Sequence, residues 1–389
     1  MNESRILKNR FLPFLICLLI IFFPGCSPQT EPSVETMDMR LSTTEIKGRT
    51  YYYYHRLSET EQDAYSRIFR QIKSHPEKIE IPPLEKEALL KVFQAISYDN
   101  PELLCMGGSC QLVTQAGKSY FVPSYHCSVA ECAAMTEKLL EKARQIQESV
   151  QGKTSYEKEL FFHDYLVEQC VYHEDTGNWR SYTAAGALLD GKAVCEGYSR
   201  AFQLLLDLAG IENYLITGSA RDQDARVDGH MWNLVTIDGE KYHVDVTWDD
   251  PVGREQLAPS HVYFNLTDQA IAVNHLTFDP EPPGCNAIKA NYFVKNGLFF
   301  QKYQEDTRTK IVEAIEQTVA RDVWSLEFCF ASQEEYEKAV TDLFSGERIY
   351  RLLERANLSG KRQIQTNKVQ YHCDDEMLIL NLTLEKKGG

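Results

Sequence analysis

One stretch constrains this chain more than any other: "GKAVCEGYSRAFQLLLDLAG", residues 191–210. Ala201, Phe202, Leu205, Leu206 and Ala209 recur at helical spacing, which predicts an amphipathic helix with one face buried. Gly210 is placed to end it. "IENYLITGSA" follows with the composition of a strand. "GHMWNLVTIDGEKYHVDVTWDDP" then reads as a hairpin turning at Asp238-Gly239. A helix, a strand and a hairpin in succession predict a helix packed on an antiparallel sheet, an α+β arrangement.

The same stretch carries reactive side chains. Cys195 falls where a Gly191 loop becomes the helix. A helix N-terminus directs unpaired N–H groups and the positive end of the dipole at such a residue, which favours a thiolate. The competing expectation is a buried inert thiol, the usual fate of a free cysteine. With a two-residue turn at Asp238-Gly239, His230 lies opposite Thr247 and Trp232 opposite Asp245. His230 and Asp245 are then diagonal neighbours on one face, about 7 Å apart at the backbone. That face, with His243, Thr236 and Thr247, is expected to look toward Cys195. The other, with Met231, Asn233, Val235, Ile237, Tyr242, Val244, Val246 and Trp248, is expected to pack on the core. His243 lies opposite Leu234 and reads as structural.

Such a trio can perform nucleophilic chemistry. Cys195 would attack a carbonyl carbon, His230 would carry the proton, and Asp245 would fix the imidazole tautomer. The Cys195 backbone N–H can donate to an oxyanion, with Tyr182 or Trp179 as a second donor. For His230 alone, a core histidine is the plain alternative.

"CEGYSRAFQLLLDLAGI" followed by "GHMWNLVTIDGEKYHVDVTWDDP" resembles the transglutaminase-like superfamily, over roughly Tyr165 to Asn265. "HVYFNLTD" at 261–268 resembles the segment closing such domains in bacterial surface proteins. "YDNPEL" and the "VPSY" strand resemble a leader domain of exported members. The resemblance implies a papain-like core in which Cys195, His230 and Asp245 are the catalytic residues. It implies acyl transfer from an amide through a thioester, on a protein or peptide substrate, cell-wall peptides included. Peptidase or amidase hydrolysis is favoured slightly over crosslinking, because water needs no second substrate cleft. The alternative is an inactive surface binding module. No acidic calcium loop is evident, so neither a metal nor another cofactor is expected; Asp249 and Asp250 read as a turn before Pro251.

The beginning of the chain reads as a targeting segment. Arg5, Lys8 and Arg10 precede the apolar run "FLPFLICLLIIFF", which is shorter than the roughly 20 residues a membrane span needs. "FPGCS" resembles a bacterial lipobox, although Phe23 stands where leucine is commonest and Pro24 where a small residue is usual. That resemblance implies cleavage before Cys26 and a lipid on its sulfur. The expected location is membrane-anchored on the outer side of the cytoplasmic membrane, or in the periplasm or outer membrane of a two-membrane cell. A net charge of −15 and the lack of a basic patch argue against nucleic acid as a partner.

The expected organisation is a signal peptide over 1–25, a polar tether over 26–50 and a mainly helical α+β domain over 51–152. A catalytic domain over 153–285 and a small α+β domain over 290–389 follow. Ser58 and Glu61 predict a capping box, and the tyrosines at 51–54 read as packing surface. Further helices are expected near 85–96 and 130–151. In the tail, "YFVKNGLFF" reads as a hairpin, with helices near 307–320 and 333–343 and strands near 365–372 and 376–384. Of eleven cysteines, Cys105 with Cys110 and Cys127 with Cys132 share one spacing. Two local disulfides are expected, with a four-thiolate zinc site as the rival.

Overall fold

The computed structural model describes residues 49–174, 177–222, 224–250, 259–278, 281–359 and 363–387. The signal, Cys26 and most of the tether lie outside the described residues. Among the described residues, no helix is long and apolar enough to cross a membrane.

The first unit begins with α1 (Glu59–Gln71). Its capping box is formed as expected: Ser58 accepts from the Glu61 N–H, and the Glu61 carboxylate accepts from the Ser58 N–H at 2.7 Å. The strand β1 (Ile79–Ile81), the helix α2 (Lys86–Asp99) and the strands β2 (Met106–Gln115) and β3 (Lys118–Tyr125) complete it. The sheet order is β1-β3-β2. Ala64, Ile68, Leu89, Val92, Ile96 and Phe121 form its core. The tyrosine run packs as expected. Tyr52 stacks on Tyr214 at 3.8 Å, and the Tyr53 hydroxyl donates to the Leu215 carbonyl at 2.7 Å, fastening this unit to the central sheet.

The central unit holds α3 (Val129–Glu148), α4 (Ser155–Gln169) and the short strands β4 (Val171–Tyr172) and β5 (Lys192–Ala193). These are followed by α5 (Cys195–Ala209), β6 (Asn213–Arg221), β7 (Val227–Ile237) and β8 (Glu240–Val244). A short helix α6 (Asp268–Ile271) leads to β9 (His275–Thr277). The antiparallel sheet runs β8-β7-β6-β9. Its hairpin register matches the sequence reading from Asn233 facing Val244 to Ile237 facing Glu240, but the expected pairs His230–Thr247 and Trp232–Asp245 do not form, because β8 ends at Val244 and the chain turns away. Gly210 ends α5 at φ 73°.

The apolar face of that hairpin packs on the core as the sequence reading expects, whereas the expected polar surface on the other face is not found. Val235, Ile237, Tyr242, Val244 and Val246 share one core with Ala201, Phe202 and Leu205 of α5, so the helix lies on the apolar face. The other side is not an open polar surface. Trp232 and Leu234 bury there with Tyr214, Ile216 and Cys285. A helix with a wide apolar stripe must cover apolar sheet surface, so its contact with the polar groups is confined to its end, where Cys195 stands.

The last unit has the short helix α7 (Tyr292–Lys295), β10 (Phe299–Phe300), α8 (Glu305–Ala320) and β11 (Ser325–Phe330). It continues through α9 (Gln333–Val340), α10 (Arg348–Ser359), β12 (Gln370–Asp374) and β13 (Ile379–Thr383). The expected hairpin in "YFVKNGLFF" is instead a helical turn capped by Asn291, followed by β10, which pairs in parallel with β11. The Asn291 side chain takes up the N–H groups of Phe293 and Val294, which commits the segment to a helix start. Helices α8, α9 and α10 cover the sheet β10-β11-β13-β12 over Ile311, Ile315, Phe328, Leu353 and Leu380.

The cysteine pairing is a correction. Cys105 bonds Cys132, Cys127 Sγ lies 3.5 Å from Cys105 Sγ, and Cys110 is a free, buried thiol in the first core. Equal spacing suggested two local bridges. Cys105 instead sits just before β2, whose register is irregular between Met106 and Cys110, and faces α3 rather than its hairpin neighbour. The four thiols therefore do not converge as a zinc ligand set.

Candidate active site

Cys195 is the first residue of α5. Val194 precedes it with extended backbone (φ −97°, ψ 178°) and supplies no side-chain cap to the first helical turn. Its N–H donates to the Ser181 carbonyl at 3.0 Å, tying the helix start to the 3-10 turn Trp179–Tyr182. That approach requires glycine at 197. A Cβ there would run into the Ser181 carbonyl and lie 2.8 Å from the Ala193 Cβ. Cys195 remains partly exposed on a helix otherwise buried at Tyr198, Ala201, Phe202, Leu204, Leu205 and Leu206.

The structure brings Cys195, His230 and Asp245 together. His230 Nε2 lies 2.6 Å from Asp245 Oδ2, and Cys195 is near enough to the imidazole to act on its charge. Burial acts to remove the imidazole proton. The Asp245 carboxylate and Cys195 outweigh it and raise the His230 pKa to about 10. Asp245 is wholly buried, which favours its neutral form, yet the His230 and His275 rings hold it well below the usual carboxylate range. Its Oδ1 accepts from the N–H groups of Thr247 at 3.0 Å and Trp248 at 3.3 Å.

His275 on β9 is a neighbour that sequence reasoning missed. Its Nε2 lies 3.0 Å from the same Asp245 Oδ2. The only local signal was alternation of Leu276 and Phe278 with His275 and Thr277. β9 reaches the site through a non-local pairing with β6, which a single sequence does not reveal. Tyr172 was missed as well. It interacts with Cys195, Glu174 and Tyr182, and burial followed by the Cys195 and Glu174 charges pushes its phenol well above its ordinary value. Tyr182 thus lies within reach of Tyr172. Trp179 instead lies flat against His126, with ring centres 4.6 Å apart. His243 is held by neighbours, accepting from Trp232 Nε1 at 3.0 Å and meeting Asp268 Oδ1 at 3.0 Å.

Asp249 and Asp250 form the expected turn, but their carboxylates are employed. Asp250 accepts from the Tyr198 hydroxyl. Asp249 Oδ2 meets His163 Nε2 at 3.0 Å, and His163 Nδ1 meets Asp164 Oδ1 at 2.9 Å. Asp164 also meets His261 Nε2 at 3.0 Å, and His261 faces Glu327 of β11. Among the described residues four sets have donor types suited to a divalent cation, and two of them, His163–Asp164–His261 and His230–Asp245–His275, lie in this network. In both, each ring nitrogen already faces a partner within the protein.

A cysteine at a helix start, a histidine on β7 and an aspartate just past the end of β8 define a thiol-nucleophile arrangement on an α+β core. Residues 141–246 match the family model "Transglutaminase-like superfamily". No curated protein matches the chain. Among solved structures, a TGase is similar with TM-score 0.25 and 13% identity, covering 44% of this chain and 50% of its own. A candidate cysteine protease from Cytophaga hutchinsonii is similar with TM-score 0.24 and 18% identity, covering 32% and 41%. A candidate protease from Parabacteroides distasonis is similar with TM-score 0.22 and 15% identity, covering 33% and 29%. The matches span half or less of those solved chains.

Proposed function

We propose that Cys195, His230 and Asp245 are the catalytic residues of a cysteine acyltransferase acting on amide bonds of proteins or peptides, with hydrolysis favoured over crosslinking. The observation that carries this is the 2.6 Å contact from His230 Nε2 to a buried, ionised Asp245, with Cys195 near enough to act on the charge of the same ring. The Cys195 thiolate attacks the carbonyl carbon, and the developing oxyanion is met by the Cys195 N–H, with Tyr182 the second candidate donor. The His230 imidazolium gives its proton to the amide nitrogen as the C–N bond breaks, leaving an amine and a thioester. His230, now neutral, takes a proton from water, whose hydroxide attacks the thioester and releases a carboxylic acid and the Cys195 thiolate, with His230 again an imidazolium. An amine in place of water would give a new amide.

The protein is further proposed to be exported and anchored through lipid on Cys26, outside the cytoplasmic membrane, with wall peptides among its substrates. One experiment addresses both parts. The full chain is expressed, cells are fractionated, and each fraction is incubated with glutamine-containing peptides, with and without an added amine. Mass spectrometry should show deamidated or cleaved peptide from the membrane fraction, and Cys26→Ala should move that activity to the soluble fraction. Persistence of product in Cys195→Ala would defeat the catalytic assignment. Membrane retention of Cys26→Ala would defeat the anchor.

A further inference from the structure

Asp245 serves two imidazoles through one oxygen. His230 approaches Oδ2 at 2.6 Å and His275 approaches it at 3.0 Å, with ring centres 5.3 Å apart in an edge-to-face arrangement. The His275 side chain is fully buried, between Trp248 at 4.7 Å and Trp232 at 5.1 Å. Its Nδ1 lies 2.7 Å from the Asn274 side-chain amide, which in turn reaches the Tyr263 hydroxyl at 2.7 Å. The titratable groups facing His275 are therefore Asp245, His230 and Tyr263. An ionised carboxylate oxygen can only accept, so both Nε2 atoms must carry protons toward it.

β9 reaches this position because residue 218 is glycine. Gly218 lies opposite His230 in the β6–β7 ladder and opposite Thr277 in the β6–β9 ladder. A Cβ there would strike the Leu276 carbonyl and come within 2.6 Å of the Trp232 ring. The close approach of β9, and the delivery of His275 to Asp245, thus depend on a side chain being absent.

We propose that His275 is a fourth member of the site, a positioning residue that holds the Asp245 carboxylate ionised and oriented so that Asp245 can hold His230. This rests on the catalytic reading of Cys195, His230 and Asp245 given above. With Thr247 and Trp248 fixing Oδ1, the His275 N–H leaves the carboxylate one orientation, with Oδ2 aimed at His230. Without it, a buried carboxylate loses one of its donors. Its ionised form is then less stabilised, its hold on the His230 proton weakens, and the Cys195 thiolate loses its counter-charge.

The test uses iodoacetamide, which needs only the thiolate and no identified substrate. Alkylation of the Cys195 peptide is followed by mass spectrometry from acid to alkaline pH in the full-length protein. His275→Leu should slow alkylation at weakly acidic pH about ten-fold and move the profile up by about one pH unit. His275→Gln, whose amide N–H can take the place of Nε2, should restore most of the rate. His275→Asn, polar but too short to reach Oδ2, should behave like His275→Leu and decides the matter if the leucine variant does not fold. Overlay of the Asn and Gln profiles, or a His275→Leu profile identical to wild type, would overturn the proposal. An unchanged profile in His230→Ala would instead overturn the parent catalytic reading.

Discussion

Asp245 is an ionised carboxylate with no solvent exposure, and its four hydrogen bonds are what make that state tolerable. Replacing it with asparagine keeps the shape and removes the charge. We predict that Asp245→Asn leaves the thermal midpoint within a few degrees but lowers turnover by about three to four orders of magnitude, through loss of tautomer control over His230. Turnover near wild type would mean that the imidazole is oriented by another group. The pH dependence follows from the sign of the His230 shift, which raises its pKa to about 10. The imidazolium needed to protonate the leaving amine is present through neutral pH, and activity should fall as pH rises through about 10. At this scale Cys195, His230 and Asp245 were legible because each sits on a strongly patterned element. His275 and Tyr172 were not, because each sits on a strand of two or three residues whose partner is distant in sequence.

At the scale of elements, the hairpin shows how far local chemistry reaches. Asp238 and Gly239 both take positive φ, 52° and 83°, and this turn sets the register down to Asn233 and Val244. The cysteines show the opposite case. Equal spacing is no guide when one partner lies before an irregular strand and the other in the first turn of α3, 27 residues apart. Closing a loop of that length is worth about 3–4 kcal/mol by restricting the unfolded chain. We predict that Cys105→Ser loses this whole contribution, whereas Cys132→Ser loses less, because Cys127 lies 3.5 Å from Cys105 and can bond it instead. Denaturant midpoints of the two variants, with a count of titratable thiols, check this. Equal losses with Cys127 still free would refute it.

Across the whole molecule, the units are joined by buried polar contacts as well as by apolar ones, Tyr52 on Tyr214 and a cluster of Tyr263, Ile271, Phe293 and Ile379. Arg49 pairs with Glu102 of the first unit and Asp207 of α5 at 2.7 and 3.0 Å. His163, Asp164 and His261 connect α4 to Glu327 of the last sheet, and the Asp249 end of that chain lies four positions beyond Asp245. Burial alone would lower the His261 pKa, but Asp164 and Glu327 raise it to about 9. A raised histidine pKa adds stability that is complete below its ordinary value of 6.5 and vanishes as pH climbs through the folded value. We therefore predict that Glu327→Gln lowers the thermal midpoint at pH 6 and that the gap from wild type narrows above about pH 9. Calorimetry across that range checks it, and a gap independent of pH would show that Glu327 acts by packing alone.

The sequence by itself determined the α+β character of the core, the helix beginning at Cys195, the register of the β7–β8 hairpin and the trio of reactive side chains. These depend on periodicity, turn chemistry and spacing within one contiguous stretch. Only the tertiary structure decided that the other face of the hairpin is closed over, which cysteines bond, and that β9 carries a second imidazole to Asp245. Those outcomes depend on how much apolar area each packing buries and on whether a strand meets a glycine or a side chain across the sheet. Both are properties of pairs of segments remote along the chain, and neither is written in either segment alone.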